Sequence, residues 1–288
     1  MNDLRTRMTF PSIDWQWNAA QVRAYGLAIG APWSTLDEND LSLVTGPSPT
    51  PFPTIAVLLA DEHSLRYHPL PGVQYDPLDV IYAGHELELL GPLAPDARGT
   101  TTARLVNVGD VSAGVLAVRE CTSTDDSDRV IARNVVTSII RGASIGSPAE
   151  RPAAPVEGPL DLDEEIEIPT LPQQALLYAQ TGDDNPLHLS PSAARAGGFD
   201  RPILHGLCSY AMVAHGVMRS RADGRWSDLR RISARFTAPV VPGETLLVRT
   251  GRRESSIEFT AWVRDEHGGE RMVLSHGQIQ LAGEASLS

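Results

Sequence analysis

The sequence contains no lysine: every one of its 24 basic residues is arginine. That excludes Schiff-base chemistry through a side-chain amine, a phosphate-binding P-loop lysine and a lysine general base. Cysteine is scarce as well. Cys121 and Cys208 stand far apart, in neither a Cys-x-x-Cys nor a Cys/His spacing, so neither a metal site nor a disulfide framework is expected. No run approaches the roughly 20 apolar residues of a membrane helix. The opening stretch MNDLRTRMTFPSIDW lacks the apolar core of a signal peptide. A cytoplasmic protein with no membrane partner is the expectation. A net basic face is missing too, since the formal charge is −12, which argues against nucleic acid as a partner.

What is present is ordinary globular composition, with 42% apolar and 21% charged residues in 288. That length holds one large domain or two smaller ones. The clearest division falls at residues 147–172, where six prolines alternate with Glu157, Asp161, Asp163, Glu164, Glu165 and Glu167. Proline keeps such a segment extended and like charges keep it solvated, so it reads as a linker between halves 1–146 and 173–288.

The halves look related. Ala20–Ala31 and Pro172–Gly182 each have helical spacing around a tyrosine, Tyr25 and Tyr178, and each ends at a glycine. Gly91-Pro92 and Ala238-Pro239 recur at nearly the same offset. Strand-like, β-branched runs follow in each half: Thr100–Val108, Ala113–Arg119 and Val130–Ile140, then Leu229–Phe236, Glu244–Thr250, Ile257–Val263 and Arg271–Gln280. Turn clusters such as Asp125–Asp128 and His267-Gly268-Gly269 punctuate them, which implies antiparallel meanders. Ile203–Arg221 is apolar on nearly all sides and should be a helix wrapped by sheet. Its first-half counterpart, Pro51–Glu62, is shorter, and residues 63–80 look irregular. The fold class is α+β.

The stretch Gly182-Asp183-Asp184-Asn185-Pro186-Leu187-His188 carries the chemistry. Asp183 and His188 are five positions apart, which suits one face of neither a helix nor a strand. They converge only if the chain turns between them, and Asn185-Pro186 supplies a turn. Ser190-Pro191 then reads as an N-cap and first position of a short helix. Read without its surroundings, this motif is more often a polar turn with a surface histidine.

The surroundings point further. Tyr178, Gly182, Asp183, Asn185, Pro186, Leu187 and His188, followed by Gly198-Phe199-Asp200, Pro202-Ile203-Leu204-His205-Gly206-Leu207-Cys208, Ala234-Arg235-Phe236, Pro239 and Pro242-Gly243, resemble the MaoC-like R-specific enoyl-CoA hydratases, the hydratase 2 family. Tyr25–Ala31 and Phe52-Pro53-Thr54 look like the family's first, degenerate repeat. The resemblance implies a double hotdog fold, two antiparallel sheets each wrapping a central helix, and a homodimer. It implies an acyl-CoA or acyl-carrier-protein thioester as substrate, and no cofactor. By the same resemblance Asp183 and His188 hold and activate water, Asn185 orients it, and the Gly206 N–H polarises the thioester carbonyl. Gly206 near the start of a buried helix suits that role, because N–H groups there lack intrahelical partners.

The first half lacks this equipment. Ala31-Pro32-Trp33-Ser34 follows Gly30, and at the corresponding strand start Tyr82-Ala83 stands in place of a His-Gly pair. One site per chain is expected, with the first half making room for the acyl group. Some relatives carry an acid just before the glycine matching Gly46, but this chain has Thr45 there, so no second carboxylate is assigned. Tyr178 and His205 border the expected site. Residues 195–235 hold eight arginines against three acids, and Arg195 and Arg201, nearest the motif, are the expected phosphate contacts. A hotdog thioesterase and a non-catalytic thioester-binding subunit are the alternatives.

Overall fold

Residue alternation sets the framework. Along Val130–Arg141 buried and half-buried side chains alternate from Ala132 to Arg141, the mark of a strand with one face on a core. The computed structural model describes Leu4 and residues 8–150, 162–253, 256–264 and 268–283. In chain order its main elements are β1 (Ile13–Trp17), α1 (Ala19–Ala28), α2 (Glu38–Ser42), a 3₁₀ segment (Pro53–His63), β2 (Val80–Leu89), β3 (Ala97–Val111), β4 (Gly114–Asp125), β5 (Val130–Arg141), β6 (Glu164–Pro169), α3 (Gln174–Ala179), α4 (Pro191–Ala196), α5 (Gly206–Arg221), β7 (Leu229–Phe236), β8 (Thr245–Arg253), β9 (Ser256–Arg264) and β10 (Glu270–Leu281).

All ten strands join one antiparallel sheet in the order β1-β3-β4-β5-β2-β7-β10-β9-β8-β6. Read outward from the centre, the two five-stranded halves have the same connectivity, as a duplicated unit requires. The seam is the pairing of β2 with β7, from Gly84 opposite Arg235 to Glu88 opposite Arg231. The two sheets implied by the family resemblance are therefore fused edge to edge. A 2.6 Å ion pair from Arg231 to Glu86 crosses that seam.

α5 is the central helix of the second half, and every residue from Leu207 to Met218 is buried. Its counterpart, the 3₁₀ segment, opens on Pro53 and is tied to the sheet through Asn134, which donates to the Ala56 carbonyl and accepts from His85. Residues beside this shorter segment do not leave it open. Leu65, Leu70, Val80, Leu105, Val115, Ala117 and Ile140 close into a second apolar cluster there.

Three strands went unread in the sequence, and one lies in the expected linker. Within 147–172, Glu164–Pro169 is an edge strand paired with β8, with Ile168 buried, Glu165 and Glu167 facing outward, and Glu164 on the face of Ile166 and Ile168. Arg221 meets Glu164 and Arg249 meets Glu165, so these two charges are neutralised rather than merely solvated. The stretch 151–161, with Glu157 and Asp161, lies outside the described residues, as does His267 of the expected β9–β10 turn.

Candidate active site

The motif folds as a sharp turn. Gly182 takes φ +119°, Asn185 caps a single 3₁₀ turn from Pro186 to His188, and its Oδ1 accepts the Leu187 N–H. The Asp183 carboxylate accepts the Asn185 N–H at 3.2 Å. Ser190 then caps α4 with Pro191 in its first turn. The proline-directed turn thus brings Asp183 and His188 to one place.

Hydrogen bonds fix the imidazoles. His188 Nδ1 lies 2.9 Å from the Ile203 carbonyl, so this nitrogen carries the proton and Nε2 keeps its lone pair. Burial holds the His188 pKa below the ordinary histidine value, against the opposing pull of the Asp183 charge. The neutral ring is therefore the resting form near pH 7. His205 Nε2 donates to the Asp183 backbone carbonyl at 3.0 Å, and its ring stacks on His188 with centroids 3.9 Å apart. Burial, then the neighbouring His188, presses the His205 pKa down to about 2. The donor atoms of Asp183, His188 and His205 lie within 4.8 Å of one another, a spacing that also suits a metal ion. One nitrogen of each ring donates to a backbone carbonyl, which fixes the orientation of both imidazoles beside the Asp183 carboxylate.

Asp183, Asn185, His188 and Gly206 line one cavity of about 250 Å³. Phe199, Phe236, Val240 and Leu274 supply apolar wall, and Asp61, Arg66 and Tyr82 come from the first half. Gly206 begins α5, and its N–H has no acceptor among the described residues. A Cβ there would come within 3.2 Å of the Phe236 ring, so glycine keeps this corner open. At the matching point of the first half, the start of the 3₁₀ segment, stands Pro53, which has no N–H to offer. Tyr82-Ala83 lies instead on β2, the counterpart of β7, which corrects its matching with His205-Gly206.

The other expected site residues do not reach the cavity. Tyr178 is fully buried behind His205, ring centroids 5.0 Å apart, and is a packing residue rather than a substrate contact. His205 likewise supports Asp183 and His188 from behind. Arg195 and Arg201 are exposed and outside the lining. Four arginines of the basic stretch, Arg219, Arg221, Arg225 and Arg231, are committed to ion pairs with acids. The guanidinium at the cavity is that of Arg66, and the second carboxylate there is that of Asp61. No local pattern marks either one. Asp61 merely ends an apolar run, and its place depends on long-range pairing.

Residues 155–265 match the MaoC-like domain, and residues 15–142 match the hydratase 2 N-terminal domain of multifunctional enzyme type 2. The chain is 31% identical over 261 residues to the enoyl-CoA hydratase ChsH3 of Mycobacterium tuberculosis, covering 87% of this chain and 90% of that one. It is 30% identical over 279 residues to 3-hydroxyacyl-thioester dehydratase Y of the same organism, covering 92% and 93%. A solved MaoC-like dehydratase from Phytophthora capsici superposes with a TM-score of 0.80 at 25% identity, covering 97% of this chain and 98% of the other.

Proposed function

The chain belongs to the MaoC-like hydratase 2 family, and from that footing we propose that it hydrates trans-2-enoyl-CoA to (3R)-3-hydroxyacyl-CoA, or dehydrates 3-hydroxyacyl thioesters in reverse. The observation that carries this reading is the convergence of the His188 Nε2 lone pair, the Asp183 carboxylate and the unpaired Gly206 N–H on one cavity with apolar walls.

Each group meets a need of the reaction. Water sits between Asp183 and His188, which draw on its hydrogens as its oxygen attacks C3. The Asn185 side-chain amide steers that oxygen, since its Oδ1 is occupied by the Leu187 N–H. The proton taken from water is returned to C2. Acid–base work of this kind is typically worth about 10²–10⁴ in rate. The Gly206 N–H, at the positive end of α5, receives the charge that develops on the thioester oxygen, a contribution of about 3–4 kcal/mol. Arg195 and Arg201, exposed beside the loop that carries Phe199, are assigned to the phosphates of the thioester carrier, which remain outside the cavity. A homodimer and a cytoplasmic location complete the reading.

The test is to mix the protein with crotonyl-CoA and with longer trans-2-enoyl-CoAs. The conjugated-thioester absorbance should be lost with no free thiol released. Thiol release without hydration would establish a thioesterase instead. Binding without turnover would establish a non-catalytic subunit.

A further inference from the structure

The first half sends a carboxyl into the cavity. Tyr82 of β2 donates to Asp61 Oδ1 at 3.1 Å, and Oδ2 has no partner among the described residues. Asp61 therefore has one oxygen anchored and the other free. The charged and titratable groups around it are Asp183 of the motif turn, Tyr82 of β2, Arg119 of β4, and Arg66 and Tyr67 of the following loop. Arg119 is fully buried and donates to the His63 carbonyl. Burial and the negative charge of Asp183 push the Asp61 pKa up to about 6. The Tyr82 hydrogen bond and the two arginines act against that rise.

We propose that Asp61 is a positioning residue for the reaction, a carboxylate lent by the first half that makes a coupled pair with Asp183. The proposal rests on the hydratase reading. In hydration Asp183, with the Asp61 carboxylate beside it setting how readily it holds a proton, takes one proton from water as the oxygen bonds to C3. It gives that proton to C2 as the enolate collapses, and ends as it began. Two like charges facing one cavity hold a proton more readily than one. The pair must be ionised to start, so a proton from solvent blocks it. Activity is then lost as pH falls through about 6.

Two substitutions pull this acid limb in opposite directions, which a merely structural role would not do. Asp61→Asn lowers kcat at least tenfold, leaves KM within about threefold, and moves the limb at least one pH unit lower. Tyr82→Phe removes the bond that holds the Asp61 pKa down, and so moves the limb upward. Asp61→Glu restores the limb and most of kcat. An unchanged limb in Asp61→Asn, or a downward shift in Tyr82→Phe, overturns the proposal. A readout free of turnover separates it from the hydratase reading. Carbon-13 NMR of labelled aspartates should find Asp61 titrating near pH 6 in the wild type, and lower in Asp183→Asn. An Asp61 titration indifferent to Asp183 sinks the pair even where hydration is confirmed. Absence of any hydration, with the coupled titration intact, sinks the hydratase reading instead.

Discussion

At the scale of single residues, the site depends on which atoms remain uncommitted. In the proposed reaction His188 serves because Ile203 occupies its Nδ1, and Gly206 because no acceptor among the described residues occupies its N–H. The second point permits a clean test. His205 has φ −56° and ψ 132°, the conformation a residue before proline prefers, and the first helical position tolerates proline. Gly206→Pro should therefore leave the helix in place, delete the N–H and lower kcat roughly 10²–10³-fold. Gly206→Ala keeps the N–H and only displaces the Phe236 ring by a few tenths of an ångström, so its kcat should fall far less. Equal losses in steady-state assays would contradict the oxyanion role. Asp183→Asn and His188→Ala should each lower kcat at least about a hundredfold with melting temperature little changed. The motif residues were legible in the sequence because a local turn carries them. Asp61 and Arg66 were not, because only the packing of the first half against the motif turn makes them neighbours of Asp183.

At the scale of elements, α5 is held by the half that does not own it. Asp40 of α2 is fully buried and accepts from His215 Nε2 at 2.6 Å, the Trp33 N–H at 2.6 Å and Arg219 at 2.8 Å. Trp33, Phe52 and Trp226 enclose the His215 ring. Burial alone would raise the Asp40 pKa, but His215, the Trp33 N–H and Arg219 outweigh it and hold it below the ordinary carboxylate value. A depressed carboxylate adds stability that is full above its unfolded pKa and lost as pH falls through the folded one. Wild-type melting temperature should therefore drop more steeply than that of Asp40→Asn below about pH 4. At pH 7 the substitution should cost about 3–5 kcal/mol by denaturant unfolding, because it leaves buried partners unpaired. A cost under about 1 kcal/mol would show the network to be idle. The sequence announced α5 through its unbroken apolar surface. It hid β6, because seven acids and six prolines in 147–172 masked the alternation of Ile166 and Ile168 with glutamate.

At the scale of the whole molecule, two copies of one strand order share a sheet and a core. The main apolar cluster mixes Val22, Tyr25, Ile29 and Phe52 with Tyr178, Tyr210, Met212 and Val217. Neither half closes its core alone, so calorimetry should give one unfolding transition. Two separated transitions would mean that the seam is only an interface. The duplication was legible from the paired tyrosines and prolines. The seam was not, since nothing local specifies which strand edges meet. Division of labour follows from small differences between the copies: Pro53 stands where Gly206 offers an N–H, while Asp61 and Tyr82 face the cavity from the half without the motif. The absence of lysine fits the proposed site, which draws on two carboxylates, an imidazole, an amide and a backbone N–H. The most direct test of the central claim is the configuration of the 3-hydroxyacyl-CoA formed from trans-2-enoyl-CoA, by chiral chromatography, with His188→Ala as control. The wild type should give the (3R) product, and the variant at least about a hundredfold less of it. A (3S) product, or equal yields from both proteins, would contradict that claim.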